Sequence, residues 1–190
     1  DEGLVILDIS NPADPAQLGK IDTDGWSYGV TLNEDATQAY VADGGGGLTV
    51  VNVEDLTRPT PSGTVKAPHI VNGVALTGNI LVLACGKGGM ATAQLPVKGK
   101  DDSVVGQLGG SVETVAAAGS VLYLGVGGRM VALDLSNPAD PQWIGQSPVL
   151  QGQVKEIALN EQMAFLAADR GGLHVLDLTQ AGYPELYSLK

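Results

Sequence analysis

The sequence predicts an all-β fold built from repeated four-stranded units, and three observations lead to that prediction. A pattern of roughly 40–45 residues recurs along the chain, which is the period of a propeller blade. Short apolar runs alternate with polar residues at period two and are bounded by Gly, Pro, Asn and Asp, as strands and turns are. The composition suits many short strands joined by tight turns, since 27 of 190 residues are Gly and only 16% are charged.

The repeat is clearest at Gly3–Pro15 and Met130–Pro141, where an apolar run is followed by Asn-Pro-Ala-Asp-Pro. Weaker copies begin at Gly47, Gly89 and Gly172, and the one at Gly89 lacks both the closing Asp and the prolines. The polar residues that close the five apolar runs stand 44, 42, 40 and 43 residues apart: Asp8, Asn52, Gln94, Asp134 and Asp177. We interpret the recurrent Asp as structural, because its carboxylate can accept N–H groups of the following turn.

One unit, residues 28–66, resolves into four predicted strands. Three of them, 28–32, 38–43 and 48–53, alternate between apolar and polar residues and end at turns. Prolines precede the fourth, 62–66, which suits an outer edge because proline cannot donate to an interior ladder. We expect neighbouring blades to pack closely at the small residues that end every second strand: Ala42, Ala84, Gly125 and Ala168.

At these motifs the chain resembles the LVIVD-repeat proteins of bacteria and archaea, named for a Gly-Leu-x-Ile-x-Asp-Val-Ser-x-Pro-x-x-Pro core. Gly3–Pro15 and Met130–Pro141 match that core closely, and Val41-Ala42-Asp43-Gly44 matches the Tyr-Val-Ala-Asp step before it. The resemblance covers essentially the whole chain. It implies a β-propeller on an exported or surface-displayed prokaryotic protein, and it implies no shared catalytic residues.

The repeats divide residues 1–190 into a single, incomplete propeller: a half-blade at 3–20 and blades at 27–66, 70–108, 112–148 and 153–190. The half-blade lacks two inner strands while the last blade has all four, so the two ends cannot complete one blade between them. We expect the chain to belong to a ring of about six to eight blades, or another subunit to supply the rest. Exposed blade faces and open strand edges would otherwise favour aggregation. Because the chain begins inside a repeat and without Met, we expect a processed product or a piece of a longer protein.

Charge and cysteine content exclude several classes of partner and site. The net charge is −11 with only 10 scattered Lys and Arg, so no nucleic-acid partner is expected. No apolar run reaches the 18 or more residues typical of a membrane span. Cys85 is the single cysteine, which rules out an internal disulfide, and its apolar strand predicts a core position.

The loops that lead into the innermost strands of a propeller gather at one mouth of the central channel, so a binding site is expected there. The repeat places four chemically different side chains at one equivalent position, with two aromatic or imidazole rings and a second carboxylate nearby. This candidate channel mouth consists of Trp26, Tyr28, His69, Asn72, Glu113, Lys155 and Glu156. The alternative is that inner-strand starts are exposed to solvent and need only be polar, without binding a ligand.

Metal and cofactor sites find little support in the sequence. Asp22-Thr23-Asp24-Gly25 resembles the start of a calcium loop, but no Glu follows at the far end, so Asp22 and Asp24 are weak calcium candidates and no cofactor is predicted. His69 has no second His or Cys near it in sequence, which disfavours zinc. His174 lies within a strand, where a packed residue is expected rather than a ligand. The glycine runs 44–47 and 86–89 join two strands and are predicted to be hairpin turns.

Two functions are compatible with these patterns. The first is a non-catalytic binding or scaffold module of a secreted or cell-surface prokaryotic protein, which recognises a protein or glycan through its loops. The alternative is a hydrolase or lyase at the channel mouth, with Glu113 and Glu156 as acid/base candidates beside His69 and Lys155. A deep pocket with a desolvated, raised-pKa glutamate would favour the enzyme.

Overall fold

The computed structural model describes residues 3–97 and 104–189, which form eighteen short strands. Residues 98–103, inside the expected blade 70–108, and Lys190, at the end of 153–190, lie outside this description. The strands are β1 Leu4–Asp8, β2 Ala16–Ile21, β3 Gly29–Leu32, β4 Gln38–Ala42, β5 Leu48–Asn52, β6 Thr60–Val65, β7 Gly73–Thr77, β8 Ile80–Ala84, β9 Met90–Gln94, β10 Val104–Leu108, β11 Thr114–Ala118, β12 Val121–Val126, β13 Arg129–Asp134, β14 Gln142–Gln146, β15 Val154–Leu159, β16 Met163–Ala168, β17 Gly172–Asp177 and β18 Glu185–Leu189.

The strands form four four-stranded antiparallel sheets and one two-stranded sheet. Blade 1 is β3–β6, blade 2 is β7–β10, blade 3 is β11–β14 and blade 4 is β15–β18, each paired in chain order; β1 and β2 form the half-blade. In the described residues the only helix is a 3₁₀ turn at Asp169–Gly171, and none is long and apolar enough to cross a membrane. The all-β prediction with four-stranded blades is therefore confirmed.

Every pairing of a third strand with a fourth contains a β-bulge or register irregularity, at Ile6/Leu7 in the half-blade and at Val50/Val51 in blade 1, for example. The extra residue bends the outer strand and increases its local twist. Pro61 pairs with Val51 beside the irregularity in blade 1, where the ladder is already interrupted.

Alternation along each strand gives every blade a forward face, which packs on the following blade, and a rear face, which packs on the preceding one. Between blades 1 and 2, forward residues Tyr40, Ala42, Leu48 and Val50 meet rear residues Leu81, Leu83, Ala91 and Ala93, all buried. The next two interfaces repeat this arrangement, with Met90 on the forward face of blade 2 and Met130 on that of blade 3.

The two ends of this arc differ from its interior. At the start, Leu4, Ile6 and Ile21 of the half-blade pack against the rear face of blade 1. At the other end, no blade within the described residues covers the forward face of blade 4. Strand pairing places two apolar rows on that face: Phe165–Val175–Tyr187 and Ala167–Leu173–Leu189.

The aspartates that close the third strands and the small residues that end the second strands have the structural roles that the sequence predicts. Asp8, Asp134 and Asp177 each accept a hydrogen bond from the backbone N–H two residues later, at 2.8 Å. The Ser136 hydroxyl at Asp134 and the Thr179 hydroxyl at Asp177 donate further hydrogen bonds, which have the largest effect there, and together with the backbone bonds they lower the pKa of all three carboxylates. The small residues that end the second strands are buried at the blade interfaces: Ala42, Ala84, Gly125 and Ala168.

Candidate binding site at the inner-strand ends

The starts of the four innermost strands lie next to one another. A Cβ built on Gly29 would lie 3.8 Å from the Cα of Gly73, and one built on Gly73 would lie 3.6 Å from the Cα of Thr114. Thr114 continues the series to blade 4, since its Oγ1 lies 3.5 Å from Oε1 of Glu156. The small residues at 29 and 73 permit this close approach. The residues that precede or open these strands therefore share one end of the arc, where the candidate channel mouth is expected.

The charged half of the channel mouth lies on blades 3 and 4. Lys155 Nζ lies 3.7 Å from Glu113 Oε2 and donates to Gln153 Oε1 at 3.1 Å. The two charged side chains are 46% and 29% exposed, so water screens their attraction and the pair adds little stability. Glu156 is also exposed and accepts from its neighbours Thr114 and Ile157. This half offers a mixed-charge polar surface.

The aromatic half lies on blade 1. Trp26 and Tyr28 are 65% and 57% exposed, although both carry large apolar rings. Ser27, between them, donates from Oγ to the buried carboxylate of Asp43 at 3.2 Å. Tyr28 lies over the glycine turn that joins β4 and β5, where a Cβ on Gly44 would lie 3.1 Å from Tyr28 Cε2. The glycine turn between β4 and β5 therefore lies against the tyrosine ring.

Blade 2 contributes the amide and the imidazole. A Cβ on Gly86 would lie 3.3 Å from Asn72 Nδ2, and one on Gly88 would lie 2.5 Å from His69 Cβ. Both glycines belong to the hairpin between β8 and β9. His69 is exposed and borders a cleft of about 530 Å³ together with Lys66 and Gly45–Gly47. His69 and Asn72 therefore lie beside their own blade's hairpin, as Tyr28 does in blade 1.

The sequence did not reveal the buried carboxylate of Asp43, which is fully inaccessible to solvent. Its oxygens accept hydrogen bonds from Thr23 Oγ1 at 2.6 Å, Gly25 N at 3.0 Å, Ser27 Oγ at 3.2 Å and Thr49 Oγ1 at 3.2 Å. Four donors compensate for the loss of water around the carboxylate. Asp43 thereby fixes segment 22–27, which links the half-blade to blade 1 and carries Trp26.

Asp22 and Asp24, the weak calcium candidates, border this cluster. Asp22 accepts from Thr23 N at 3.1 Å, and both carboxylates are exposed. Within residues 3–97 and 104–189, no group of three or more His, Cys, Asp or Glu side chains is arranged to hold a metal. In Asp22-Thr23-Asp24-Gly25, the residues with a clear structural partner are Thr23 and Gly25, which bind the Asp43 carboxylate.

Two other candidate groups are part of the packed interior. Cys85 is buried, and desolvation raises the pKa of its thiol to about 11, so the nucleophilic thiolate is scarce at neutral pH. His174 is buried as well, with Nδ1 2.8 Å from Glu185 Oε1 and Nε2 3.2 Å from the carbonyl of Gln151. His174 thus joins the outermost strand of blade 4 to the segment entering its innermost strand.

Comparison with protein families identifies the repeat. The LVIVD repeat matches residues 1–23, 37–67 and 109–147, which include both close copies of the core. The chain is an LVIVD-repeat protein. The family resemblance seen in the sequence is thereby confirmed, and no curated protein sequence matches the chain.

Solved structures similar to this LVIVD-repeat protein confirm the propeller-blade fold and no more, because sequence identity is low. The computationally designed Ika8 protein has a TM-score of 0.70 at 12% identity, over 92% of this chain and 52% of that one. BamB from Moraxella catarrhalis has a TM-score of 0.67 at 15% sequence identity, over 91% of this chain and 52% of that one. The designed Ika4 protein has a TM-score of 0.64 at 12% sequence identity, over 84% of this chain and 96% of that one. The chain thus spans about half the length of the first two.

Proposed function

We propose that this LVIVD-repeat protein is a non-catalytic binding and scaffold module of a secreted or cell-surface prokaryotic protein. In this proposal the channel mouth recognises a protein or a glycan, and no cofactor takes part. The repeat family supports the module type, and the resemblance noted in the sequence supports the location.

The observation that carries the proposal is the exposure of Trp26 and Tyr28 at the channel mouth. Aromatic rings with polar tips are enriched at binding surfaces because they bury a large area and lose little conformational entropy. The hydrogen bonds to Asp43 fix the segment that carries both rings, so little ordering is required when a ligand binds. Lys155 and Glu113 add charges of both signs within the same end of the arc.

The scaffold part of the proposal concerns the ends of the arc. We propose that further blades of the same propeller, or another subunit, pack against both the half-blade and blade 4. The apolar rows on the forward face of blade 4 support this, since such rows are buried at each interior interface. The match to about half of Ika8 and of BamB is consistent with a larger ring.

The mouth proposal is tested with arrays of soluble bacterial-envelope oligosaccharides and of short peptides, followed by titration of each hit against Trp26→Ala. Trp143→Ala is a matched control, because Trp143 is also exposed but lies on β14, the outermost strand of blade 3. We expect Trp26→Ala to weaken binding by roughly tenfold or more, as loss of a buried interface aromatic does. Trp143→Ala should leave the affinity unchanged. Equal affinity in both variants, or no hit on either array, would contradict the proposed site.

A further inference from the structure

His174 is a buried histidine that takes no part in the proposed binding site. Its Nδ1 lies 2.8 Å from Oε1 of Glu185, the first residue of β18. Its Nε2 lies 3.2 Å from the carbonyl oxygen of Gln151, which shortly precedes β15. The ring itself stands on β17, so its two contacts join the outermost strand of blade 4 to the segment that enters the innermost strand. Both ring nitrogens therefore face an oxygen atom.

The two facing oxygens determine how many protons the ring must carry. A backbone carbonyl only accepts hydrogen bonds, and so does an ionised carboxylate, whereas a neutral imidazole has a single N–H group to donate. The Glu185 side chain is 34% exposed, so water still stabilises its negative charge. Both contacts are hydrogen bonds at the same time only when His174 carries two N–H groups, which makes it an imidazolium ion.

The surroundings of the ring offer no substitute for a lost proton. His174 is only 3% exposed, so bulk water does not reach it freely. A Cβ on Gly171 would lie 2.9 Å from Nε2, which shows that the backbone closes this side of the ring. A neutral ring would therefore direct one lone pair at an oxygen within hydrogen-bond distance, and that contact is repulsive and unsatisfied.

The neighbouring elements carry other charged groups, but the carboxylate in contact with His174 belongs to Glu185. Asp169, in the turn before β17, accepts from the backbone N–H groups of Gln153 and Arg170. Segment 147–153 of the chain contains no charged residue. The other charged side chains on the adjacent strands and turn are exposed or half-buried: Arg129, Lys155, Glu156 and Arg170.

We propose that His174 and Glu185 form a pH-sensitive latch, which ties β18 to segment 151–153 while the imidazole is protonated and releases both when the proton leaves. Folding retains a proton that the unfolded chain gives up where histidine ordinarily titrates, at about pH 6.5. The latch therefore contributes stability below this range and loses it as the pH rises above the range.

The release also reaches the channel mouth. Gln153, at the end of the latched segment, exchanges backbone hydrogen bonds with Asp169 and accepts one from Lys155 Nζ on its side-chain oxygen. Lys155 is part of the charged half of the mouth. We therefore expect this half to be better ordered at acidic pH than at alkaline pH, whatever ligand the mouth takes.

Glu185→Gln is the decisive variant. Its amide can donate to Nδ1 of a neutral His174 while Nε2–H donates to Gln151, so the neutral ring keeps both hydrogen bonds. Between about pH 5.5 and about pH 8.5, the melting temperature of the parent chain should fall by about 2–4 °C relative to that of Glu185→Gln. His69→Gln is the matched control, because His69 is the other of the two histidines and is exposed. It should behave like the parent chain.

Nitrogen-15 NMR of the imidazole rings provides a readout that mere packing of the histidine would not move. At about pH 5.5 both nitrogens of His174 should carry a proton, with His69→Gln used to assign the signals. At about pH 8.5, hydrogen exchange of the Gln153 amide, corrected for the intrinsic effect of pH, should quicken in the parent chain and not in Glu185→Gln.

Three results would overturn the latch. One is a melting temperature that depends on pH equally in the parent chain and in Glu185→Gln. Another is a parent chain that gains stability relative to Glu185→Gln as the pH rises, which is the behaviour of a histidine buried in its neutral form. The third is a single N–H group on His174 at about pH 5.5.

Discussion

The forward faces of blades 3 and 4 have the same pattern of apolar residues but different surroundings. On blade 3, Tyr123 and Met130 are 7% and 0% exposed, because blade 4 covers them. On blade 4, Phe165 occupies the position of Tyr123, and Leu173 occupies the position of Met130. Phe165 is only half-buried and Leu173 is 37% exposed. The comparison teaches that the repeat gives both blades the same apolar face, and that the burial of this face depends on whether the described residues place another blade opposite it.

The energetic meaning of the difference follows from buried area. Each Å² of apolar surface removed from water contributes about 25 cal/mol. A blade face with six apolar side chains that remains exposed to water therefore forgoes several kcal/mol of stabilisation. This is comparable to the net stability of a small domain. An interior face stabilises the fold through this burial, whereas the exposed face of blade 4 does not.

The largest expected effect comes from truncating Met130 and Leu173, which occupy equivalent positions on the forward faces of blades 3 and 4. Met130→Ala should lower the free energy of unfolding by about 2–5 kcal/mol, since a buried side chain is removed and a cavity remains. Leu173→Ala, at the equivalent position of blade 4, should cost less than about 1 kcal/mol, because much of that side chain is already in water. Urea unfolding followed by circular dichroism measures both. At a concentration where the chain is monomeric, equal losses would contradict the difference in burial between the two faces.

A second prediction compares the junction of the half-blade with the junctions between complete blades. Val71, Val112 and Val154 enter blades 2 to 4 as buried apolar residues, whereas Ser27 enters blade 1 and binds Asp43. Asp43→Asn should destabilise the chain by about 1–3 kcal/mol, because the new amide group cannot accept all four hydrogen bonds.

Asp24→Asn is the matched control for that substitution, since Asp24 is an exposed carboxylate in the same segment. It should change the unfolding free energy by less than about 0.5 kcal/mol. If both variants were equally stable, the Asp43 cluster would not be what fixes segment 22–27. Hydrogen exchange of the Gly25 amide reports on this cluster specifically, and it should quicken in Asp43→Asn alone.

The smallest expected effect concerns the turn at Asp55, and it does not depend on the forward face of either blade. Hydrogen bonds from the side chain of Thr57 and from Arg58 lower the pKa of Asp55 to about 2. The stabilisation is fully present above the ordinary value of 3.8 and is lost as the pH falls through about 2. Thr57→Ala should move the pKa upward toward 3.8, measured by NMR titration of the carboxyl carbon. An unchanged pKa would show that the turn does not hold this carboxylate.

Sequence patterns predicted the strands because alternation and turn residues act locally. They also predicted that Glu113 and Lys155 are equivalent residues of adjacent blades, 42 positions apart, and the structure places them 3.7 Å apart. The Asp43 cluster was not predictable, since its donors come from segments up to 20 residues away and meet only when the half-blade packs on blade 1. Whether Trp26 and its neighbours bind a ligand stays a prediction.

The exposure of Leu173 was equally hidden from residue patterns, because Leu173 has the same apolar character as its buried equivalent, Met130. The sequence predicts which way each side chain faces, but burial depends on what lies opposite.

The central claim is that the ends of the arc are interfaces, and sedimentation velocity across a wide range of protein concentrations tests it most directly. We predict that the 190-residue chain associates as concentration rises, and that the double variant Leu173→Asp/Leu189→Asp stays monomeric. Val149→Asp, which adds a charge elsewhere on the surface, should associate like the parent chain. A parent chain that remains a folded monomer throughout, with Leu173 solvent-accessible, would contradict the account.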